Sequence, residues 1–411
     1  MSIIKDISLA PSGEMKINWV ERNMPVLRGI GRRFADEKPF KGLKVALSVH
    51  LEAKTAYLCR VMELGGAEMY VTGSNPLSTQ DDVAAALAAG GMNVFAEYGC
   101  TEQQYGDCLR EVLKVGPNII IDDGGDLVHL MHEEFADLIP GVIGGCEETT
   151  TGINRLRIMS AAGALRFPMV MVNDADCKHM FDNRYGTGQS VWDGICRTTN
   201  LIIAGKYVVI SGYGWCGKGV SLRAKGLGAK VIVTETDPIR ALEAVMDGYE
   251  VMPMAEAAKI GDIFCTVTGG RDIITAEHFT LMKDGAILSN AGHFNVEVDM
   301  EALEKMAVKK YEARHNIQGY VMPDGKTLFT IAEGRLVNLA AADGHPAEIM
   351  DMSFAIQALS AKYLADNRGR LNTDVVPVPR EIDYEVARCK LDAMGVGIDA
   401  LSKAQAEYLG R

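Results

Sequence analysis

The stretch GYGWCGKG, residues 212–219, decides the fold class of this 411-residue chain. The apolar, β-branched run Tyr207–Ser211 leads into it, and a helical pattern over residues 219–227 follows. A second apolar run, Lys230–Thr234, comes next and ends beside Glu235. The succession of strand, glycine-rich turn, helix and strand is typical of a nucleotide-binding βαβ unit. We therefore predict such a unit in this part of the chain.

Three glycines of this turn, Gly212, Gly214 and Gly217, predict how it meets a ligand. Glycine at these places permits a tight turn, close approach of a pyrophosphate and close packing of helix on strand, while the helix N-terminus offers N–H groups to the phosphates. Glu235 is placed to accept hydrogen bonds from ribose hydroxyls, and it favours NAD over NADP because it repels a 2′-phosphate. Arg240 weakens that preference and joins the predicted cofactor residues. The alternative is a glycine-rich turn with a surface glutamate.

Strand-like runs alternate with helical patterns over most of the chain. The runs are Lys44–Val49, Ala67–Val71, Asn118–Ile121, Pro168–Val172, Tyr207–Ser211, Lys230–Thr234, Ile263–Thr266 and Ala286–Leu288. This alternation predicts an α/β fold with two doubly wound parallel-sheet (Rossmann-like) domains and a cleft between them. We assign residues 1–183 plus 346–379 to a substrate-binding, catalytic domain, residues 184–345 to an NAD-binding domain, and residues 380–411 to a short helical tail. The proline-containing segment 375–379 is predicted to be a loop.

Composition excludes several classes of protein. The formal net charge of −12 argues against nucleic acid or an anionic membrane as the main partner, because both require a basic face. No run approaches the roughly 18 apolar residues of a membrane span, and the N-terminus lacks the apolar core of a signal peptide. The nine cysteines form no CxxC pair and no cluster with histidine at metal-ligand spacing, so we expect a cytoplasmic protein without a metal site.

Polar residues gather where strands of the first unit end. They are DDGGD at 122–126, EETTTG at 147–152, Asn173-Asp174, Lys178 and Phe181-Asp182-Asn183. Because carboxyl ends of parallel strands meet at one edge of a sheet, these groups are expected to converge in the cleft. Taken singly, each is more often a solvated loop residue.

Two polar segments end strands of the second unit in the same way. They are TVTGG at 266–270 and NAGH at 290–293. Thr268 and Asn290 are therefore predicted to contact the cofactor. The alternative is that both are polar turn residues.

The order of these motifs resembles the S-adenosyl-L-homocysteine hydrolase (adenosylhomocysteinase) family. The matching segments are DDGGDL, EETTTG, VND with the following Lys178 and FDNRYG, GYGWCGKG, TETDPI, NAGHF, AEGRLVNL and GHP, in order over residues 40–350. The resemblance implies reversible hydrolysis of a nucleosyl-homocysteine thioether with tightly bound NAD. In that reaction the ribose 3′-OH is oxidised, the C4′ proton is removed, homocysteine thiolate leaves, water adds and the ketone is reduced. It also implies a homo-oligomer, a tetramer.

The resemblance further implies a role for each catalytic residue. Lys178 and Asp182 flank the ribose 3′-OH and assist its oxidation. A lysine beside a cofactor cation is expected to have a lowered pKa, which suits a base. Asp123, with His50, is placed for C4′ proton transfer, and His293 with His50 handles the attacking water and the leaving thiolate.

Binding roles follow from the same motifs. Glu148 is expected to bind ribose hydroxyls, and His345 to contact the substrate side of the gate between domains. The further cofactor residues are Thr149, Thr150, Thr151 and Asn183, near the nicotinamide half, with Gly292 and Asn338. We expect His129, His179, His278 and His315 to be structural.

The segment HLEAK, residues 50–54, departs from the family pattern. Many relatives have HMT, then Val or Ile, then Glu or Gln, and their side chains at the positions of Glu52 and Lys54 read the purine edge. Lysine only donates and ionised glutamate only accepts, so this pair fits the 6-oxo group and N1–H of hypoxanthine. A lysine facing the amino group of adenine is a mismatch of ~1–3 kcal/mol. We therefore predict S-inosyl-L-homocysteine as the preferred substrate, with S-adenosyl-L-homocysteine as the alternative.

Two rival accounts of this segment stay open. In one, Glu52 and Lys54 pair with each other and leave the base to backbone groups. In the other, a shifted base lets Lys54 donate to adenine N1 while Glu52 accepts from N6.

Two other functions remain conceivable. An NAD-dependent 2-hydroxyacid dehydrogenase also pairs two α/β units, but it has no role for EETTTG or for Lys178 with Asp182. A catalytically inactive, regulatory relative is disfavoured by the intact Lys178, Asp182, His293 and Asp123. Many relatives extend past the position of Arg411 with a Lys and a Tyr that reach a neighbour's cofactor site, and we expect that contact to differ here.

Overall fold

The structure, a computed structural model, describes residues 2–410. Its strands are β1 (Lys44–Ser48), β2 (Glu68–Thr72), β3 (Asn93–Val94), β4 (Ile119–Asp122), β5 (Gly144–Glu147), β6 (Met169–Met171), β7 (Tyr207–Ser211), β8 (Lys230–Thr234), β9 (Glu250–Val251), β10 (Ile263–Thr266), β11 (Ile287–Asn290), β12 (Lys309–Arg314), β13 (Ile317–Val321), β14 (Thr327–Ile331) and β15 (Val375–Pro377).

Helices connect and flank these strands. The α-helices are α1 (Ala10–Arg22), α2 (Pro25–Glu37), α3 (Ala53–Leu64), α4 (Asp81–Ala89), α5 (Glu102–Leu113), α6 (Asp126–Glu133), α7 (Thr150–Ala161), α8 (Asp176–Lys178), α9 (Thr187–Thr199), α10 (Trp215–Gly226), α11 (Pro238–Met246), α12 (Met254–Ile260), α13 (Ala276–Leu281), α14 (Met300–Met306), α15 (Val337–Ala340), α16 (Ala347–Asp366), α17 (Arg380–Ala393) and α18 (Lys403–Tyr408). A π-helical segment, His179–Gly186, joins α8 to α9, and short 3₁₀ turns lie at Ile7–Leu9, Ala136–Gly141, Val172–Asp174 and Ala332–Gly334.

The strands form two sheets, and the predicted α/β fold is confirmed. The first sheet is parallel throughout and has the order β15-β6-β5-β4-β1-β2-β3. The second has the order β12-β13-β14-β11-β10-β7-β8-β9 and is parallel except for the antiparallel pairs that β13 makes with β12 and β14. Alternate residues of β1 enter different apolar clusters, with Val45 and Leu47 in one and Ala46 in another, so this sheet is buried on both faces.

Parallel pairing aligns the ends of neighbouring strands. Asp122 at the end of β4 is opposite Glu147 at the end of β5, and Thr266 of β10 is opposite Asn290 of β11. The polar motifs that follow these strands therefore emerge side by side at one edge of each sheet.

The C-terminal part differs from the sequence prediction in two places. Residues 375–377 of the predicted loop form β15, which pairs in parallel with β6 and sets Val375 opposite Met169. Prolines are tolerated there because β15 is an edge strand. The predicted helical tail is two helices, α17 and α18, separated by the non-helical residues 394–402. The domain limits at 183/184 and 345/346 stay a prediction.

The length and apolar character of the helices bear on whether any of them could cross a membrane. Within residues 2–410, none is both long enough and apolar enough to cross a bilayer.

Candidate active site

A cavity of about 1120 Å³ lies where the strand ends of the two sheets face each other. Most of the predicted site residues line it: His50, Glu52, Lys54, Asp123, Glu148, Thr149, Thr150, Thr151, Lys178, Asp182, Asn183, Gly212, Gly214, Glu235, Arg240, Thr268, Gly292, His293, Asn338 and His345. Gly217 and Asn290 do not reach its surface. Residues from distant parts of the chain thus share one cavity.

Glu52 and Lys54 form an ion pair on one wall. The Glu52 carboxylate caps α3 by accepting the backbone N–H groups of Lys54 at 3.1 Å and Thr55 at 3.3 Å. The Lys54 ammonium lies 2.6 Å from the same carboxylate and donates to the carbonyl of Asp343 at 3.0 Å. The two side chains pair with each other, as one rival account held, and still line the cavity. They present a carboxylate acceptor beside an ammonium donor.

His50, Asp123 and His293 form a second group. His50 Nε2 lies 3.4 Å from Asp123 Oδ2, and His293 Nδ1 lies 4.0 Å from Asp123 Oδ1. Ser74 donates to the Asp123 carboxylate at 3.1 Å. Burial lowers the pKa of His50 to about 4, even though the charge of Asp123 opposes this effect. A neutral imidazole beside a carboxylate is able to accept a proton at neutral pH.

Lys178 is the centre of a third, buried group. It ends α8, and the π-helical segment brings Asp182 and Asn183 back towards its ammonium. Lys178 Nζ lies 3.2 Å from Asp182 Oδ2 and 3.6 Å from Glu148 Oε1, and it donates to Asn183 Oδ1 at 2.9 Å. Four polar side chains thus meet away from bulk water.

Within the protein itself, the charges of this group raise the pKa of Lys178, and a lowering by a bound cofactor cation stays a prediction. Burial does lower the pKa of Lys178, but the neighbouring charges of Asp182 and Glu148 outweigh burial and raise it above its usual value. Burial raises the pKa of Asp182 while Lys178 and His345 lower it, and the result lies far below the usual range. For Glu148, burial dominates and raises the pKa to about 8, with Lys178 opposing. The protein alone therefore keeps Lys178 charged and paired with an ionised Asp182.

His345 lines the cavity and hydrogen-bonds Asp182, while its contact with the substrate side of the gate stays a prediction. Its Nδ1 hydrogen-bonds Asp182, and its Nε2 lies 3.3 Å from Thr187 Oγ1 and 3.2 Å from Asn338 Nδ2. His345 therefore orients Asp182 as well as lining the cavity.

Helix α16 supplies two further contacts that sequence reasoning missed. Ser353 donates to Asp182 at 2.7 Å, and Gln357 donates to Glu148 at 2.7 Å. The sequence signal for these contacts is the spacing of the two polar residues. They are four apart in a mostly apolar helix, which places them on one face.

The glycine loop and the start of α10 fit a dinucleotide. Gly214 precedes α10 without a side-chain cap, so the first N–H groups of a twelve-residue helix have no side-chain acceptor and face the cavity. Glu235 follows β8 and accepts the backbone N–H of Tyr213 at 2.7 Å, which places its carboxylate beside the loop. Arg240 also lines this end. These residues would hold the pyrophosphate and a ribose of NAD.

The cavity wall also contains a buried acceptor without a partner among the described residues. The buried Oδ1 of Asn338 makes no hydrogen bond, although its Nδ2 approaches Ser190 and His345. Thr149, Thr150 and Thr151 start α7 on the opposite wall, and Thr150 accepts from Asn173 at 3.0 Å. A carboxamide is a suitable donor to Asn338.

Asn290 does not contact the cavity, which corrects the prediction. Its amide instead binds the carbonyls of Gly292 at 3.2 Å, Phe294 at 2.9 Å and Gly334 at 3.0 Å, so it fixes the loop that carries His293. Glu297, which sequence reasoning missed, is buried and accepts from Thr268 Oγ1 at 2.7 Å. No periodic pattern around Glu297 distinguishes it from a surface acid.

Replacing Gly217 by alanine is expected to weaken NAD binding about 10- to 100-fold. A Cβ at this position would lie 1.9 Å from the carbonyl oxygen of Gly212, so the loop must deform, at a cost of roughly 1–3 kcal/mol. Calorimetric titration of nucleotide-free protein with NAD measures the effect. Gly226→Ala is the matched control because a Cβ there meets nothing within 4 Å. Equal NAD affinity of both variants would contradict the role given to Gly217.

Comparison with known protein families agrees with this geometry. Residues 2–139 match the family model described as S-adenosyl-L-homocysteine hydrolase, and residues 183–344 match the model of its NAD binding domain. Among solved structures, a dipicolinate synthase chain from Bacillus halodurans has a similar fold, with a TM-score of 0.51 at 15% identity, over 80% of this chain and 99% of that one.

Similar proteins match over nearly the whole chain. Adenosylhomocysteinase of Thermococcus kodakarensis is 59% identical over 406 residues, which are 99% of this chain and 96% of that protein. S-inosyl-L-homocysteine hydrolase of Methanococcus maripaludis is 58% identical over 409 residues, 100% of this chain and 98% of that protein. The chain is an adenosylhomocysteinase-type hydrolase with an NAD-binding domain, and it belongs to the S-adenosyl-L-homocysteine hydrolase family.

Proposed function

We propose that the protein hydrolyses S-inosyl-L-homocysteine reversibly to L-homocysteine and inosine. The observation that carries the choice of base is the Glu52–Lys54 ion pair on the cavity wall, at 2.6 Å. The reaction itself is supported by the meeting of three groups in one cavity: the Lys178–Asp182 pair, the His50–Asp123 pair and the glycine loop.

The Lys178 group serves the ribose 3′ position. NAD held by the glycine loop would supply reversible hydride transfer at the 3′ carbon, so the overall reaction would not be a net oxidation. Asp182 accepts hydrogen bonds from Ser353, His345 and Lys178, and this fixed pair orients the 3′-OH. Glu148 Oε1 has no hydrogen-bond partner and is free for a ribose hydroxyl.

The His50 group serves C4′ and C5′. A ketone at C3′ acidifies the C4′–H, and Asp123 with the neutral His50 takes that proton. Loss of the proton expels homocysteine thiolate from C5′, and His293, on the far side of Asp123, guides the water that replaces it.

The ion pair matches the edge of hypoxanthine. Two contacts engage the Lys54 ammonium, from Glu52 and from the carbonyl of Asp343, and its third proton is free for O6. The Glu52 carboxylate already receives N–H groups of Lys54 and Thr55, which keep it an acceptor, and its remaining lone pairs suit the N1–H. A lactam oxygen facing an ammonium and a lactam N–H facing a carboxylate are both charge-assisted hydrogen bonds.

The Lys54 contact with Asp343 also ties base recognition to the catalytic group. Asp343 lies two residues before His345, which hydrogen-bonds Asp182. A base that satisfies Lys54 leaves this loop in place, whereas one that repels Lys54 disturbs it. Base identity is therefore expected to affect kcat as well as KM.

The second candidate substrate is S-adenosyl-L-homocysteine. The same ion pair accommodates adenine when Lys54 donates to N1 and Glu52 accepts from the 6-amino group. The names of similar proteins include both substrates, at 59% and 58% identity, and favour neither. The preference for hypoxanthine rests on the better match of a lactam to an ammonium beside a carboxylate.

Replacing Lys54 by glutamine is expected to shift the preference towards adenine about tenfold. The amide supplies both a donor and an acceptor, which suits adenine, and a gain or loss of one matched hydrogen bond is worth ~1–2 kcal/mol. The ratio of kcat/KM for the two thioethers measures the shift. Lys44→Gln is the matched control, since Lys44 also donates to a backbone carbonyl, that of Val115 at 3.0 Å, but outside the cavity. An unchanged ratio in Lys54→Gln would remove Lys54 from base recognition.

The reaction class has a separate test. Purified protein with S-inosyl-L-homocysteine is expected to form homocysteine and inosine in equal amounts, with no net NADH. Accumulation of NADH with a 2-hydroxy acid would support a dehydrogenase instead. Failure to release homocysteine from either thioether would support a catalytically inactive protein.

A further inference from the structure

We propose that Ser78 and Ser74 are positioning residues that hold His50 as the Nδ1–H tautomer and leave its Nε2 bare towards Asp123. This inference rests on the proposed function for its kinetic consequence, but the tautomer itself follows from the contacts alone. Neither serine belongs to the strand-end motifs that the sequence highlights. Both lie in the loop between β2 and α4.

The hydroxyl protons of both serines have acceptors other than His50. Ser78 Oγ donates to the carbonyl of Asn75 at 3.0 Å, and Ser74 Oγ donates to the Asp123 carboxylate at 3.1 Å. A hydroxyl has one proton, so each oxygen offers only lone pairs in other directions. His50 Nδ1 lies 2.7 Å from Ser78 Oγ and 3.3 Å from Ser74 Oγ. With both hydroxyl protons directed to these acceptors, Nδ1 is the donor and carries the hydrogen.

The loop itself fixes both hydroxyls. The backbone N–H of Ser78 also donates to Asn75, at 3.1 Å, so a tight turn aligns the Ser78 side chain. The Tyr105 hydroxyl lies 3.1 Å from the carbonyl of Ser74 and 3.1 Å from the Asp126 carboxylate, so it holds the other end between these two acceptors. Both serines are buried, so water does not compete freely for these contacts.

The consequence appears at the other ring nitrogen. A neutral imidazole with its hydrogen on Nδ1 has a lone pair on Nε2, and this atom lies 3.4 Å from Asp123 Oδ2. His50 Nε2 and the Asp123 carboxylate are then two acceptors that face each other, and one proton between them would form a hydrogen bond. When the C4′–H bond breaks, its proton adds to Nε2, and its electron pair moves towards the C3′ ketone and then expels the thiolate from C5′. The resulting imidazolium is paired with Asp123.

The surroundings of His50 keep the ring neutral beforehand. The titratable groups that face it are Asp123, which favours the charged ring, and His293 and His345, which disfavour it. Burial outweighs Asp123 and lowers the pKa of His50 to about 4. His50 is therefore available as a base through neutral pH, and it loses this role only when the pH falls towards about 4.

Nitrogen NMR of the full chain labelled in histidine tests the tautomer directly. The His50 signals are assigned by their loss in His50→Asn. We expect a hydrogen on Nδ1 and a bare Nε2, with shifts unchanged from about pH 8 to pH 5. In Ser78→Ala the nearer of the two Nδ1 acceptors is lost and only Ser74 Oγ, at 3.3 Å, remains, so the hydrogen is expected to move to Nε2 and face the Asp123 carboxylate. A hydrogen on Nε2 in the unmodified protein would overturn the proposal.

The kinetic readout separates positioning from general damage. In Ser78→Ala the exchange of the C4′ hydrogen of inosine with solvent is expected to fall about 100-fold, whereas formation of reduced nicotinamide changes less than about twofold. Ser78→Thr keeps the hydroxyl and should restore exchange. Ser360→Ala, which removes a buried hydroxyl from α16 that makes no hydrogen bond, should leave both rates unchanged.

Two outcomes are contrary to the proposal: equal loss of both rates in Ser78→Ala, or unchanged exchange. Absence of reduced nicotinamide in the unmodified protein with inosine and with adenosine would instead count against the proposed function. The NMR result would still decide the tautomer.

Discussion

Replacing Asp182 with asparagine is expected to lower kcat/KM for S-inosyl-L-homocysteine about 1,000-fold. Asp182 is fully buried and accepts hydrogen bonds from Lys178, His345 and Ser353. Burial raises its pKa, but the charges of Lys178 and His345 and the hydrogen bonds from His345 and Ser353 hold it far below the usual range. Asparagine has no charge to pair with Lys178 and turns one of its two acceptor positions into a donor. The orientation of the 3′-OH is therefore lost.

The same change is expected to destabilise the protein by roughly 3 kcal/mol, because it leaves the buried Lys178 with only the more distant Glu148 as a counter-charge. Thermal unfolding and steady-state kinetics measure the two effects. Asp176→Asn is the matched control, since Asp176 lies on the same segment with its side chain 75% exposed. Activity of Asp182→Asn equal to that of Asp176→Asn would contradict the role of the Lys178–Asp182 pair.

Replacing Asp123 with asparagine is expected to separate the two halves of the reaction. Asp123 lies 3.4 Å from His50 Nε2 and 4.0 Å from His293 Nδ1, while the Lys178–Asp182 pair keeps its own contacts. Reduced nicotinamide should still form on mixing with inosine, because that step uses Lys178 and Asp182. Removal of the C4′ proton should slow about 100- to 10,000-fold, because the amide neither takes the proton nor stabilises an imidazolium.

Rapid mixing measures the first half through the absorbance of reduced nicotinamide, and solvent exchange of the C4′ hydrogen measures the second. Asp176→Asn again serves as the control. If Asp123→Asn lost both halves equally, Asp123 would act in binding or folding and not at C4′.

Local motifs explain why much of the fold was predictable. The βαβ unit around GYGWCGKG depends on neighbours in sequence, and β7 and β8 end where the pattern indicates. β5 was missed because Gly144 and Gly145 break the apolar, β-branched pattern of a strand. β15 was missed because its partner, β6, is distant in sequence and its prolines are typical of loops.

The candidate site was predictable to the extent that its residues belong to motifs. The contacts between motifs were not predictable from the sequence. Lys54 contacts the carbonyl of Asp343, and Asp182 contacts His345, and in each pair the two residues belong to segments far apart in sequence. The charge state of Lys178 in the protein alone depends on such contacts too, since Asp182 and Glu148 act on it together. Ser78, which determines the hydrogen on His50 Nδ1, belongs to no motif at all.

A competition between the two thioethers tests the central claim most directly. An equal mixture of S-inosyl- and S-adenosyl-L-homocysteine is given to the purified enzyme, and the initial ratio of inosine to adenosine formed equals the ratio of kcat/KM. The ion pair of Glu52 and Lys54 predicts at least about ten inosine molecules for each adenosine. Equal amounts, or an excess of adenosine, would contradict the assignment of hypoxanthine as the preferred base.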